Sequence, residues 1–405
     1  MESNWAPARV RRNFRVDLIG AISAGLYISV VVTFMPVVVR RMGGTPEDVA
    51  LVVAAPFIGH LLSPLGTYLY TGAPLVRVVG STTVLARLVF LFGVLIAATP
   101  FMLAATTVIF FVIAISNVAV YTALMHGIYP DRERAKAMAG VRVGASIAGI
   151  ASAALAGALI DVVPASLVFA AATLVSLPGA IAFFTMRHDG ALVARRPVPA
   201  IARDVWSDRR YRRLLAAATV FGIGNLMNVA MYPILLVDHF NASNSFIGAM
   251  TVVSSATMIV AYLVWGRVID RGSSIRLTLV NSVVTILIPI GYIAAVDVSW
   301  LIPVAVIIGI VNAGGELTFF TNIVQLAPRE RIGEYAAAQS LLMGLRGTIA
   351  PFVASSLLAV ADARVVLLIG VAFMTAGAAV MAGAVRLAAR PLVAPAPAQV
   401  HAPAD

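Results

Sequence analysis

Long apolar runs alternate with short polar breaks along nearly the whole chain. Twelve such runs, set off by charged residues or by Pro and Gly, lie near 17–39, 48–69, 76–98, 101–126, 139–160, 164–186, 213–237, 245–268, 276–296, 300–326, 334–359 and 365–388. Each has about the 20 residues that an α-helix needs to cross a bilayer core. Barrel strands would be half as long and would alternate apolar with polar positions. The pattern predicts an all-α membrane protein with twelve transmembrane helices. Of its 405 residues, 60% are hydrophobic and 12% charged, about half the charge of a soluble domain. The polar, arginine-rich segment before Asp17 leads into a run too long for a signal peptide, and it reads as the approach to a retained first span.

Charge then orients the helices. Of the 29 Lys and Arg residues, 24 fall in segments on the side of the chain termini, 3 (Arg40, Arg41 and Arg364) on the other side, and Arg87 and Arg346 within spans. This is the positive-inside bias, and it predicts that both termini are cytoplasmic in a plasma (inner) membrane. It also explains the net charge of +11 without nucleic acid. With no cysteine and five scattered histidines, neither a disulfide nor a metal site is expected, and no cofactor is implied.

The longest polar stretch, RHDGALVARRPVPAIARDVWSDRRYRR (187–213), separates the sixth run from the seventh. The expected organisation is an N-terminal six-helix lobe (1–186), a cytoplasmic linker (187–212), a C-terminal six-helix lobe (213–390) and a disordered Pro/Ala-rich tail (391–405). The halves echo each other at an offset near 197: Gly25 with Gly222, Pro36 with Pro233, and RERAKAMA (132–139) with RERIGEYA (329–336). Such parallel repeats form transporters whose solute site lies between lobes at the midplane.

Six spans plus six, together with the motif GRVIDRGSSIR from Gly266 to Arg276, resemble the major facilitator superfamily over residues 12–390. The resemblance implies two pseudo-symmetric six-helix bundles that move a small solute by alternating access. It also implies that Gly266, Asp270, Arg271, Gly272 and Arg276 form a cytoplasmic gate motif, with the glycines allowing tight turns and close helix approach. The first-half counterpart, GTYLYTGAPLVR, keeps Gly66 and Gly72 but has Tyr70 and Thr71 where an acid and a base would stand.

Glu316, halfway along the tenth run, is the most conspicuous residue, because an intramembrane carboxylate costs about 3 kcal/mol on insertion scales. Arg346 lies at a similar depth on the eleventh run, so a Glu316–Arg346 encounter is expected, serving either as a permanent glue or as a proton-coupling or substrate site. Asn312 shares the face of Glu316, and Gln339 shares that of Arg346. Asn225, Asn228 and Tyr232 on the seventh run, and Asn117 and Tyr121 on the fourth, form polar stripes that contact either solute or a neighbouring helix. His60 reads as a neutral buried imidazole or a proton carrier. Arg87 has no evident partner.

Absences narrow the choice. The fourth run has no arginine and the fifth no Gly-Pro, unlike the drug–proton exporters of the superfamily, and no phosphate-binding loop supports direct ATP drive. The expectation is a non-enzymatic, monomeric transporter or facilitator for a small solute, with protons as a coupling ion through Glu316. The alternative is a scaffold or sensor of the same fold that does not turn over.

Overall fold

A computed structural model describes residues 8–192, 203, 205–271, 274–328 and 331–388. Twelve membrane-length helices stand among these residues: α1 (Ala8–Arg41), α2 (Pro46–Leu69), α3 (Leu75–Ile96), α4 (Pro100–Ile128), α5 (Asp131–Ile160), α6 (Ala165–Ala182), α7 (Arg209–Ile234), α8 (Asn244–Arg271), α9 (Ser274–Ala294), α10 (Leu301–Leu326), α11 (Ile332–Leu358) and α12 (Ala363–Ala388). Local chemistry sets several starts. Thr45 accepts from the Asp48 amide and Asp48 accepts in return from the Thr45 amide, a capping box with Pro46 in the first turn. Asp208 caps α7 by accepting from the amides of Arg210 and Tyr211.

The helices form two bundles with one packing plan. In the first, α1 packs on α5 and α6, α2 on α4, and α3 on α4 and α6. In the second, α7 packs on α11 and α12, α8 on α10, and α9 on α10 and α12. Adding six to each helix number converts one set into the other, so the repeat in the sequence is a repeat in space. Gly25 and Gly222 make this concrete. A side chain at Gly25 would run into the Ala145 carbonyl on α5, and one at Gly222 into the Arg346 guanidinium on α11. Without a Cβ, each glycine admits the equivalent neighbour.

The bundles meet chiefly through α2 with α11 and α5 with α8. At the face away from the start of α1, here the distal face, the contact is tight. A Cβ on Gly157 of α5 would stand 2.6 Å from the Asn244 carbonyl oxygen, and one on Gly248 of α8 would stand 2.9 Å from that of Ala153. Just beyond, Asp161 caps α8 from the other bundle. Its carboxylate accepts from the Asn244 amide (3.0 Å), the Asn244 side chain (2.8 Å), the Ser245 amide (2.9 Å) and the Ser245 hydroxyl (2.6 Å). An acid at a helix N-terminus also meets its positive dipole end. Arg40 of α1 grips both oxygens of Asp238, in the π-turn that follows α7, and Arg41 donates to the Ala242 carbonyl. Two of the three arginines that break the charge bias thus hold the bundles together.

Two outcomes test this packing. Gly25→Leu is expected to lower stability by about 1–3 kcal/mol through overpacking, read as a fall in the thermal midpoint of the detergent-solubilised protein. The second concerns Asp161. Partial burial pushes its pKa up, but the bonds from Ser245 and Asn244 prevail and hold the carboxyl below its usual value of 3.8. A carboxyl with a depressed pKa contributes above its ordinary pKa, and the contribution is lost as pH falls through the depressed value. Spin labels on the distal ends of α5 and α8 should therefore report one short distance at all pH values above about 5. In Asp161→Ala the same labels should report a broadened, longer distribution.

Candidate functional site

Glu316 sits on α10 directly after Gly314 and Gly315. A glycine pair weakens a helix, and two neighbours brace it here. The Trp265 indole donates to the Ile310 carbonyl at 2.9 Å and the Asn281 amide to the Val311 carbonyl at 3.1 Å. The carboxylate then bridges three helices. One oxygen accepts from Arg142 of α5, in the other bundle, and the second accepts from the Tyr262 hydroxyl of α8. All three residues lie about 15 Å from the helix ends opposite the distal face, so their depths match. The Arg142 and Glu316 side chains keep 54% and 35% of their surface accessible, so the pair borders an open space rather than a sealed core.

The expected Glu316–Arg346 encounter does not form. Arg346 turns toward α7, where its guanidinium donates to the Ala218 carbonyl and fills the gap left by Gly222. Packing decided between the candidates: the glycine offers Arg346 a slot within its own bundle, while Glu316 faces α5 and α8.

Next to the pair lies a cavity of about 570 Å³ between the bundles, with walls from α1, α2, α4, α7, α8, α9 and α10. The lining is mostly aliphatic and aromatic. Tyr232 lines it and stacks on Tyr292 with ring centres 4.3 Å apart, and Asn312 contributes a polar group. Glu316 is one turn beyond Asn312, toward the end away from the distal face.

A second cavity, about 370 Å³, lies within the first bundle among α1, α3, α4 and α5. Asp17, Arg87, Asn117, Tyr121 and Arg142 line it. Asp17 is fully buried and accepts from the hydroxyls of Tyr121 (2.9 Å) and Tyr129 (2.8 Å). Asn117 interrupts α4 and donates to the Thr82 hydroxyl at 2.6 Å. Arg87 is buried, donates to the Ser176 hydroxyl (2.9 Å) and the Thr83 carbonyl (3.1 Å), and lies 4.7 Å from the centre of the Tyr27 ring. Its partners are therefore neutral groups of α1, α3 and α6.

The remaining expected site residues are dispersed. Asn228 points at α12, with its amide 3.5 Å from the Met374 sulfur, and so leaves the stripe with Tyr232. Asn225 is half-buried and makes no hydrogen bond among the described residues. Gln339 accepts from the Tyr211 hydroxyl at 2.9 Å, tying α11 to α7. The His60 imidazole is half-buried and has no hydrogen bond among the described residues. In the gate motif, a Cβ on Gly266 would meet nothing within 4 Å among the described residues. Gly272 lies outside the described residues, as do the side chains of Asp270 and Arg271, and Arg276 is exposed. Gly72, in the first-half copy, has a φ of +79° and turns the chain so that its amide donates to the Leu192 carbonyl at 2.9 Å.

Three residues of the site escape a reading by motif. Arg142 counts as a topology marker in the charge tally, although it falls inside the fifth apolar run at the depth of Glu316. Asp17 reads as a boundary of the first run, and Tyr262 as one aromatic among many. Matching charged residues by depth across the two halves, instead of between adjacent runs, would have paired Arg142 with Glu316.

The solved structures that resemble this chain share its architecture. A mutant form of the nucleoside transporter NupG aligns with a TM-score of 0.73 at 11% identity, over 92% of this chain and 99% of that one. A POT family transporter in complex with 5-aminolevulinic acid gives 0.72 at 11% identity, covering 94% and 96%. An inward-facing, unoccupied bacterial homolog of the human lysosomal transporter Spinster gives 0.70 at 13% identity, covering 96% and 100%. No curated protein sequence matches the chain. The Major Facilitator Superfamily profile matches residues 18–351 and again 214–403. With twelve membrane-length helices in two repeated bundles around a central cavity, the chain belongs to the Major Facilitator Superfamily and is a membrane transporter, not an enzyme.

Proposed function

We propose that this protein is a secondary transporter that moves a small solute through the central cavity by alternating access, with proton coupling at Glu316. The observation that carries the reading is the contact of Glu316 with Arg142 and Tyr262. A single carboxylate fastens the two bundles at mid-depth beside the cavity, on the side opposite the distal latch. Protonation removes its charge, loosens its hold on Arg142 and takes away one of the bonds that keep the bundles together there. A single carboxylate tie at one end, opposed by a multiply bonded contact at the other, is a two-state element that a proton can bias. The basic bias of the loops supports a plasma (inner) membrane location with the termini, and hence the Glu316 side, in the cytoplasm.

In proteoliposomes, Glu316→Gln is expected to lower proton-driven uptake or release by about tenfold or more and to flatten its pH dependence. Arg142→Gln should do the same. The double variant should be no slower than either single one, because both changes remove one interaction. If Glu316→Gln transports at the wild-type rate with an unchanged pH profile, the coupling role is lost. If the wild-type protein catalyses no counterflow of any solute in a broad panel, the transport reading goes with it.

A further inference from the structure

Arg87 raises a problem that the Glu316 site does not solve. It is a permanent cation in the middle of α3, buried, and its partners are a serine hydroxyl, a backbone carbonyl and a tyrosine ring. A guanidinium stays charged under all ordinary conditions, so it cannot escape this setting by losing its proton. Among the described residues the carboxylate nearest at hand on the cavity wall is Asp17, and two tyrosine hydroxyls hold it. The second cation on the wall, Arg142, leans across to Glu316. The cavity thus presents two guanidiniums and one carboxylate, the latter already occupied by neutral donors.

We propose that this cavity within the first bundle is a binding subsite for the carboxylate of a small organic anion, with Arg87 as its fixed cation and Arg142 as a second cation shared with Glu316. Arg87 offers planar, forked donors of the kind that receive a carboxylate through two parallel bonds. Thr83 and Asn117 supply polar wall, and Tyr27, Phe183 and Ala86 supply apolar and aromatic wall for the rest of the molecule. At about 370 Å³ the space falls in the range of small-ligand pockets. Binding has a consequence for the interbundle contact. An incoming carboxylate competes with Glu316 for Arg142, so a loaded subsite weakens the tie between bundles. The proposal rests on the transport reading only for this consequence, since binding is measured separately.

The test uses the purified full-length protein in detergent, with sodium benzoate as probe and benzamide and sodium chloride as controls. Isothermal calorimetry and thermal unfolding should show saturable benzoate binding, a raised midpoint, and no response to benzamide or to chloride at equal concentration. Arg87→Gln should weaken benzoate binding by about tenfold or more, with partial retention in Arg87→Lys. Because loss of Arg87 can also impair folding, Thr83→Glu provides a second arm. It places an internal carboxylate one helical turn from Arg87, and should abolish benzoate binding while the protein unfolds at the wild-type temperature or above. The proposal is overturned if benzamide or chloride alone binds as benzoate does, if benzoate binding is not saturable, or if Thr83→Glu binds benzoate with wild-type affinity. Benzoate binding that is lost in Thr83→Glu while no solute undergoes counterflow would leave the subsite standing and remove the transport reading. Counterflow without benzoate binding would do the reverse.

Discussion

A charged group inside a bilayer has no water shell to fall back on, and the few that this chain carries there dictate how its helices meet. Each costs about 3 kcal/mol or more to place at mid-membrane unless protein atoms or a wet cavity receive it. The four most buried or central ones find four different solutions. Asp17 is held by two tyrosine hydroxyls, Arg346 by a carbonyl in a slot that a glycine leaves open, and Arg87 by a hydroxyl, a carbonyl and an aromatic face. Glu316 alone takes an oppositely charged partner, and that partner belongs to the other bundle. Three of these arrangements fix helices within a bundle, whereas the fourth spans the boundary where motion must occur.

The two ends of that boundary are built from different chemistry. At the distal face, close glycine contacts, a helix cap and arginine bonds reinforce one another over a short stretch of α1, α5, α7 and α8. Losing one bond there leaves the others in place. Toward the opposite face, the Glu316 contact joins polar side chains across a gap that remains accessible. Where α5 meets α8 and α10, that contact rests on a group whose charge can change, which is where a conformational equilibrium is most easily biased.

The fold was legible in the sequence because its cause is simple. Long apolar runs must become helices in lipid, where every backbone amide needs an internal partner, and the repeated glycines at 25 and 222 mark the same helix crossing twice. The site was only partly legible. Glu316 stands out by its cost, but its partner depends on which way two side chains turn. Depth along a helix can be counted from sequence, whereas azimuth depends on packing. Arg346 stands seven residues, about 10 Å, beyond Gln339, the repeat equivalent of Arg142, and turns into its own bundle, whereas Arg142 matches Glu316 in both depth and direction. Asn228 failed for the same reason: only about 40° of rotation separates it from Tyr232 on an ideal helix, yet that turns it onto α12.

The residues at repeat-related positions differ where Arg142 crosses to the other bundle. At the repeat offset of 197, Phe14 corresponds to Tyr211 and Arg142 to Gln339. In the second bundle these positions close on each other, with the Tyr211 hydroxyl donating to Gln339 and so binding α7 to α11. In the first bundle the aromatic residue is Phe14, which lacks the hydroxyl, and the residue on α5 is a longer cation. The same crossing that serves as an internal fastening in one half therefore carries a guanidinium with reach in the other. The two halves thus share their helix packing while the Tyr211–Gln339 bond stays within one bundle and the Arg142–Glu316 contact joins the two.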